Sequence, residues 1–158
     1  MTFSFERLTH HGARRRCAAA LCLGLLVGWP VGVGAAQADL VVIVNASNPV
    51  RQLSMQQVSD LYLGRARTFP GGEYALVFDL PRDDVLRQKF FFGLTGMSPQ
   101  QINAYWSRLM FSGQVLPPQT LPSDRAVLDI VRRNPGAIGY VRADGLDSSV
   151  RIVLTVKD

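Results

Sequence analysis

Short apolar runs alternate along the chain with amphipathic stretches, in an order that predicts strands and helices. The runs 40–44, 74–78, 137–141 and 150–156 are largely apolar, which is typical of buried strands. Between them, apolar residues recur every three or four positions in four stretches, as on the buried face of a helix. The predicted order is strand, helix, strand, three helices, strand, strand. This order predicts an α/β fold, a three-layer single domain with a mixed, mostly parallel sheet.

The junction between the second strand and the second helix is where a ligand is expected. The strand 74–78 is followed by Pro81, and Asp83 or Asp84 can cap the helix that follows. The first-turn N–H groups of a helix are free, and in open α/β sheets ligands collect where strands end and helices begin. The other helices are predicted to begin at polar caps, which are Ser54, Ser98 and Ser123.

The first 38 residues have the pattern of an export signal. Three arginines at positions 14–16 precede an apolar run from residue 17 to about residue 33, and a small-x-small triplet ends at Ala38. We therefore predict that residues 1–38 are a cleaved signal peptide and that residues 39–158 form a periplasmic domain. A membrane anchor is the alternative, although a proline and several glycines interrupt the apolar run.

Removal of the leader changes what the composition implies. The chain has 17 Lys plus Arg and 12 Asp plus Glu, whereas the predicted mature part keeps 13 and 11, a net charge of +2. This balance does not support nucleic-acid binding. Both cysteines and both histidines lie in the leader. The mature part therefore lacks a thiolate nucleophile, a Ser-His pair and the usual zinc or copper ligands, and we predict no metal, no cofactor and no enzyme activity.

Several motifs are similar to those of a known family. Residues 53–65 read Leu-Ser-x-x-Gln-Val-x-Asp-Leu-Tyr-Leu-Gly-Arg, and residues 134–141 read Asn-Pro-Gly-Ala-Ile-Gly-Tyr-Val. Together with Phe90, the pair 105–106 and the triplet 111–113, these motifs resemble the periplasmic phosphate-binding proteins of ABC transporters. The resemblance covers nearly all of the mature part, which looks like a single lobe of the two-lobed, type II solute-binding fold.

The resemblance implies a small oxyanion such as phosphate as ligand, and an ABC permease or another envelope protein as partner. The family holds phosphate at a helix N-terminus with a Ser-Gly-Thr tripeptide, preceded by an arginine. Alignment on Phe90 places Arg82-Asp83-Asp84 there, and carboxylates repel a phosphate dianion and have no proton to donate. Phosphate binding is therefore predicted to be weak. The candidate ligand-binding residues are Arg82, Asp83, Asp84, Arg87, Ser112 and Gly113.

A single lobe leaves its ligand-facing surface without a covering second lobe. We expect a second protein or self-association into a homo-oligomer to complete that surface. Phe91 either belongs to this surface or packs beneath the helix that carries Trp106. The open surface is expected to include Arg65, Arg67, Arg82, Ser112 and Gly113.

Three functions remain open from the sequence. The first is a solute-binding-like domain that works with a transporter. The second is a non-transport interaction or sensory module of the cell envelope that keeps the fold without the phosphate site. The third is a carboxylate hydrolase, which would use Glu73, Asp79, Asp83 or Asp84. Acidic residues close to a helix start are usually caps, which disfavours the third.

Overall fold

The computed structural model describes residues 39–113 and 115–157, so the predicted signal peptide lies outside the described residues. Within them, five strands and four helices follow one another. Their bounds are β1 (Leu40–Asn45), α1 (Met55–Tyr62), β2 (Leu76–Asp79), α2 (Val85–Thr95), α3 (Pro99–Phe111), β3 (Gln119–Thr120), α4 (Asp124–Arg133), β4 (Ala137–Arg142) and β5 (Val150–Val156).

The five strands form one sheet in the order β3-β2-β4-β1-β5. β2 is parallel to both β3 and β4, and β1 is antiparallel to both β4 and β5. Four strands therefore run in one direction with β1 reversed among them, which confirms the predicted mixed, mostly parallel sheet. β1 is buried along its whole length because it lies between two strands.

Helices cover both faces of the sheet, as two successive residues of β4 show. A side chain at Gly139 would collide with Val127 and contact Val131, both on α4. Tyr140 points to the opposite face and stacks on Phe90 of α2, with ring centroids 3.9 Å apart. The predicted three-layer arrangement is confirmed. Among residues 39–113 and 115–157, no helix is long and apolar enough to cross a membrane.

The helix starts follow the predicted caps. Ser54 and Ser98 each form a capping box with the glutamine three residues later, and Ser123 caps α4. Asp84, rather than Asp83, is the cap of α2.

Two details differ from the predicted elements. β2 begins two residues later than expected, because Tyr74 instead bridges to Thr68 in a hairpin that precedes the strand. The segment after α3, for which no strand was predicted, ends in the short strand β3. That strand pairs only with the last two residues of β2.

Candidate functional site

The side chain of Asp84 accepts hydrogen bonds from backbone N–H groups at the start of α2. Asp84 Oδ1 accepts hydrogen bonds from the N–H groups of Leu86, at 2.7 Å, and Arg87, at 3.4 Å. First-turn N–H groups are what a helix start offers to an anionic ligand. The Asp84 side chain therefore takes the position that a bound anion would occupy at this junction.

The side chain of Arg87 is also engaged within the protein. Its Nε donates to Asp79 Oδ2 at 2.9 Å, and both residues are only 4% exposed. The guanidinium carbon lies 4.8 Å from the centre of the Phe91 ring, and Nη1 is 3.5 Å from Asn103 Oδ1. The positive charge of Arg87 is thus neutralised by Asp79 in the core between α2 and the sheet.

Asp79 is the centre of a buried polar network. Its Oδ1 accepts from the Tyr140 hydroxyl at 2.5 Å and from the Leu80 N–H at 2.8 Å. Nearby, the Tyr62 hydroxyl donates to the Phe78 carbonyl at 3.1 Å. Burial, and then the negative charge of Asp79, raise the pKa of both Tyr62 and Tyr140 well above the ordinary tyrosine value. Both phenols therefore remain protonated donors at neutral pH.

The other predicted site residues lie apart from this network. Arg82 and Asp83 are exposed in the turn before α2. Ser112 ends α3, where its hydroxyl donates to the Leu109 carbonyl at 2.9 Å, and Gly113 follows in a left-handed conformation. Among the described residues, no hydrogen bond or ion pair joins these two residues to the Arg82–Arg87 segment. A ligand-binding role for any of these residues remains a prediction.

The phenylalanines of α2 separate into core and surface. Phe91 is buried and contacts the rings of Tyr62 and Phe90, so it does not belong to the open surface. Its packing beneath the helix that carries Trp106 stays a prediction. Phe92 is the exposed member of the run, with 64% of its surface accessible.

Two concavities flank β2 and α2. The first, of 580 Å³, lies beside the start of α2 and has charged residues of both signs, which are Asp39, Asp84, Lys89, Arg142 and Lys157. Arg142 is engaged with Asp124 at 2.7 Å. The part of the chain that the structure describes contains no group of three His, Cys, Asp or Glu residues placed to hold a metal ion.

The second concavity is a groove of 290 Å³ along the edge of β2, between the hairpin before that strand and the segment that leads into β3. It is mainly apolar and was not predicted from the sequence. The sequence signal that could have indicated it is Pro117-Pro118, because prolines cannot donate to a strand ladder and so leave a neighbouring strand partly unpaired.

Comparison with known proteins identifies the fold. No protein-family model matches the sequence, and no curated protein matches it. A candidate phosphate ABC transporter substrate-binding protein of Clostridium perfringens, solved with bound phosphate, is 19% identical with a TM-score of 0.60; the match covers 73% of this chain and 44% of that one. An ABC-type phosphate transport receptor of Vibrio cholerae is 19% identical with a TM-score of 0.58, over 73% and 46%. A candidate phosphate-binding protein of Planctomyces limnophilus DSM 3776 is 14% identical with a TM-score of 0.51, over 73% and 40%.

These similarities establish the fold. The chain spans less than half the length of the solved proteins that it matches, and it has the α/β fold of one lobe of them. The predicted single-lobe resemblance is therefore confirmed as a structural relationship to phosphate ABC transporter substrate-binding proteins.

Proposed function

We propose that this protein is an exported, single-lobe solute-binding-like domain that acts as a protein-interaction or sensory module of the cell envelope, without a phosphate site at the β2–α2 junction. One observation carries the proposal. Asp84 accepts from the first-turn N–H groups of Leu86 and Arg87, and Asp79 neutralises the buried Arg87, so these donors are already used. The periplasmic location rests on the export pattern of residues 1–38.

The free energies involved favour the interaction function over tight phosphate binding. Micromolar binding corresponds to about 8 kcal/mol, and breaking a buried ion pair by removing one partner costs about 3–5 kcal/mol. A phosphate that recruited Arg87 would have to separate it from Asp79, so roughly half of the binding free energy would be lost. The ligand would also meet the negative charge of Asp83 and Asp84. We expect a phosphate dissociation constant weaker than about 0.1 mM.

A weak oxyanion site is the second candidate, and a specific observation supports it. Arg82 is exposed immediately before α2, and the neighbouring 580 Å³ concavity is lined by three basic residues, Lys89, Arg142 and Lys157, together with two acidic ones. An anion held by Arg82 would not need Arg87. In this case an ABC permease is the expected partner.

Titration calorimetry with phosphate and sulfate distinguishes the two functions. The protein is the exported product, whose first residue is read by N-terminal sequencing and is expected to be Asp39. The interaction function predicts no saturable binding below about 0.1 mM. The oxyanion function predicts binding that weakens by about 1.5–3 kcal/mol in Arg82→Ala and is unchanged in the matched surface variant Arg125→Ala. Micromolar phosphate binding by a monomer, its mass confirmed by light scattering, would contradict the interaction function.

A further inference from the structure

The edge of β2 is paired over only half of its length. Phe78 and Asp79 pair with Gln119 and Thr120 of β3. Continued in the same register, the ladder would pair Leu76 and Val77 with Pro117 and Pro118, but it stops at Phe78 and Gln119 because prolines have no N–H. The two prolines instead line the groove beside β2. On the other side of the gap, Ala75 N–H donates to the Arg67 carbonyl at 2.9 Å in the preceding hairpin. An interval of the β2 edge is therefore left open between the hairpin and β3.

Two backbone groups point into this interval. The Leu76 N–H donates toward β4, to the Gly136 carbonyl at 2.8 Å. Successive N–H groups of a strand point in opposite directions, so the Val77 N–H points to the β3 side, and so does the Ala75 carbonyl. Neither group takes part in the hydrogen bonds found around the groove within the described residues. An unpaired donor and acceptor on a strand edge form a template for an added strand.

The open interval lies within the 290 Å³ groove, whose lining residues are mostly apolar. Leu61, Trp106 and Val115 line it, and the rim carries Tyr74 and Leu116, which are 62% and 84% exposed. The indole N–H of Trp106 is buried and has no acceptor among the described residues. The volume admits one large apolar side chain, and exposed aromatic and aliphatic side chains at a rim are typical of a docking site.

The charge at the groove is positive. Arg67 lines the groove, is exposed and belongs to none of the ion pairs found among the described residues. Arg65, close in the same loop, is 3.6 Å from Asp60 but remains half exposed. An acidic side chain on a docked segment would therefore be attracted to the rim.

We propose that this groove binds an extended peptide segment of a partner protein, which adds to the edge of β2 through the Val77 N–H and the Ala75 carbonyl. One apolar side chain of that segment fills the groove, and an adjacent acidic side chain meets Arg67. This inference deepens the proposed interaction function and rests on it. The partner would then bind by strand addition at the edge of β2, and not at the face that carries the start of α2.

Synthetic peptides test the proposal on the whole protein. The probes are acetylated and amidated pentapeptides with Leu, Ile, Val or Phe at the centre, followed by Asp, and a matched set with Lys in place of Asp. Nitrogen-15 NMR follows the Val77 amide and the Trp106 indole. The Asp peptides are expected to shift both resonances, to slow hydrogen exchange at Val77, and to bind about two- to fivefold more tightly than the Lys peptides.

Two surface variants, each with a matched control, test the site. Arg67→Glu is expected to reverse the preference between Asp and Lys peptides, whereas Arg125→Glu on α4 should leave it unchanged. Leu116→Ser is expected to weaken binding about fivefold or more, whereas Phe92→Ser on α2 should have no effect. All four positions are exposed, so the folded state is expected to persist in each variant.

Three results would overturn the inference. The first is no shift at Val77 at about 5 mM peptide, a concentration that would occupy even a millimolar site. The second is peptide binding that Leu116→Ser and Arg67→Glu leave unchanged. The third is shifts at Val77 that depend on protein concentration without peptide, since these would identify a second copy of the chain as the occupant. Phosphate binding at the β2–α2 junction would contradict the proposed function separately, without altering the peptide result.

Discussion

The end and the side of the same short strand differ in how their polar groups are used. At the end of β2, Asp79 and Asp84 satisfy the donors around the start of α2, and Arg87 is buried against them. At the side of β2, the Val77 N–H and the Ala75 carbonyl face an apolar groove without a strand partner. In the end region, carboxylates of the chain stand where the sequence predicted a ligand. In the side region, nothing in the described chain completes the sheet.

This difference indicates where the fold offers binding energy. A polar group that is already paired contributes to an external ligand only after its internal bond is broken, whereas an unpaired edge group gains a bond at once. The fold resembles phosphate-binding proteins, yet the region where the resemblance predicts phosphate is the internally satisfied one. Similarity of fold alone does not imply that the site is the same.

The largest expected effect comes from breaking the network at the end of β2. Asp79→Ala leaves the buried Arg87 without a counter-charge and should lower the free energy of unfolding by about 3–5 kcal/mol, measured by urea denaturation. The exposed Asp83→Ala, four residues away, should change it by less than about 0.5 kcal/mol.

A double variant distinguishes the cost of an unpaired buried charge from the cost of a cavity. Asp79→Ala combined with Arg87→Met removes both charges, and we expect it to recover more than half of the loss, because no unpaired charge stays buried. A loss below about 1 kcal/mol in Asp79→Ala alone would show that water or another group replaces the carboxylate, and the end of β2 would then be less closed than its contacts indicate.

The tyrosines of the network predict a loss of stability in alkaline solution. Their pKa values are raised by burial, so near pH 10 the unfolded chain releases phenolic protons that the folded chain keeps. The unfolding free energy should therefore be unaffected by these groups below about pH 9. Above about pH 10 it should fall by up to about 1.4 kcal/mol per pH unit for each tyrosine.

Urea denaturation between about pH 9 and 11 measures this slope. Tyr140→Phe should make it shallower by about half, since one of the two buried phenols is removed, whereas Tyr74→Phe at the groove rim serves as the exposed control. An identical slope in Tyr140→Phe and the unaltered chain would place the alkaline sensitivity outside the network.

Local signals in the sequence predicted most of the fold. The caps Ser54, Ser98 and Ser123 were correct because a capping side chain acts within three residues of itself. The buried run of β1 was correct because a strand covered on both faces needs apolar residues throughout. The start of β2 was placed too early because its first residues pair with a hairpin, which depends on contacts that periodicity does not report.

The candidate site was harder to predict than the fold. Arg87 was expected to face a ligand, but its ion pair with Asp79 joins residues eight positions apart on different elements, and Tyr140 lies 61 positions from Asp79. Such partners become visible only when the sheet is assembled. The groove was missed for a similar reason, since an incomplete strand edge is a property of the register between β2 and β3.

A smaller effect is expected at the cap of α2. Asp84→Ala removes the acceptor of the Leu86 and Arg87 N–H groups and should cost about 1 kcal/mol of unfolding free energy. It also frees those N–H groups, so phosphate affinity measured by calorimetry should rise relative to the unaltered protein. Equal effects of Asp84→Ala and Asp83→Ala in both measurements would show that Asp84 does not close the junction.

The smallest effect on stability is expected at the groove, and it completes the comparison between the two regions. Leu116 and Tyr74 are apolar side chains left largely in water, so Leu116→Ser and Tyr74→Ser should each change the unfolding free energy by less than about 0.5 kcal/mol. Replacing a residue that stabilises the fold, such as Asp79, should lower the unfolding free energy. Replacing a residue that contacts only a partner should lower the affinity for that partner and leave the unfolding free energy unchanged. Urea denaturation and the peptide titration, run on the same variants, provide both values. If Leu116→Ser cost more than about 1 kcal/mol, the rim of the groove would belong to the folded core, and the side of β2 would be as internally satisfied as its end.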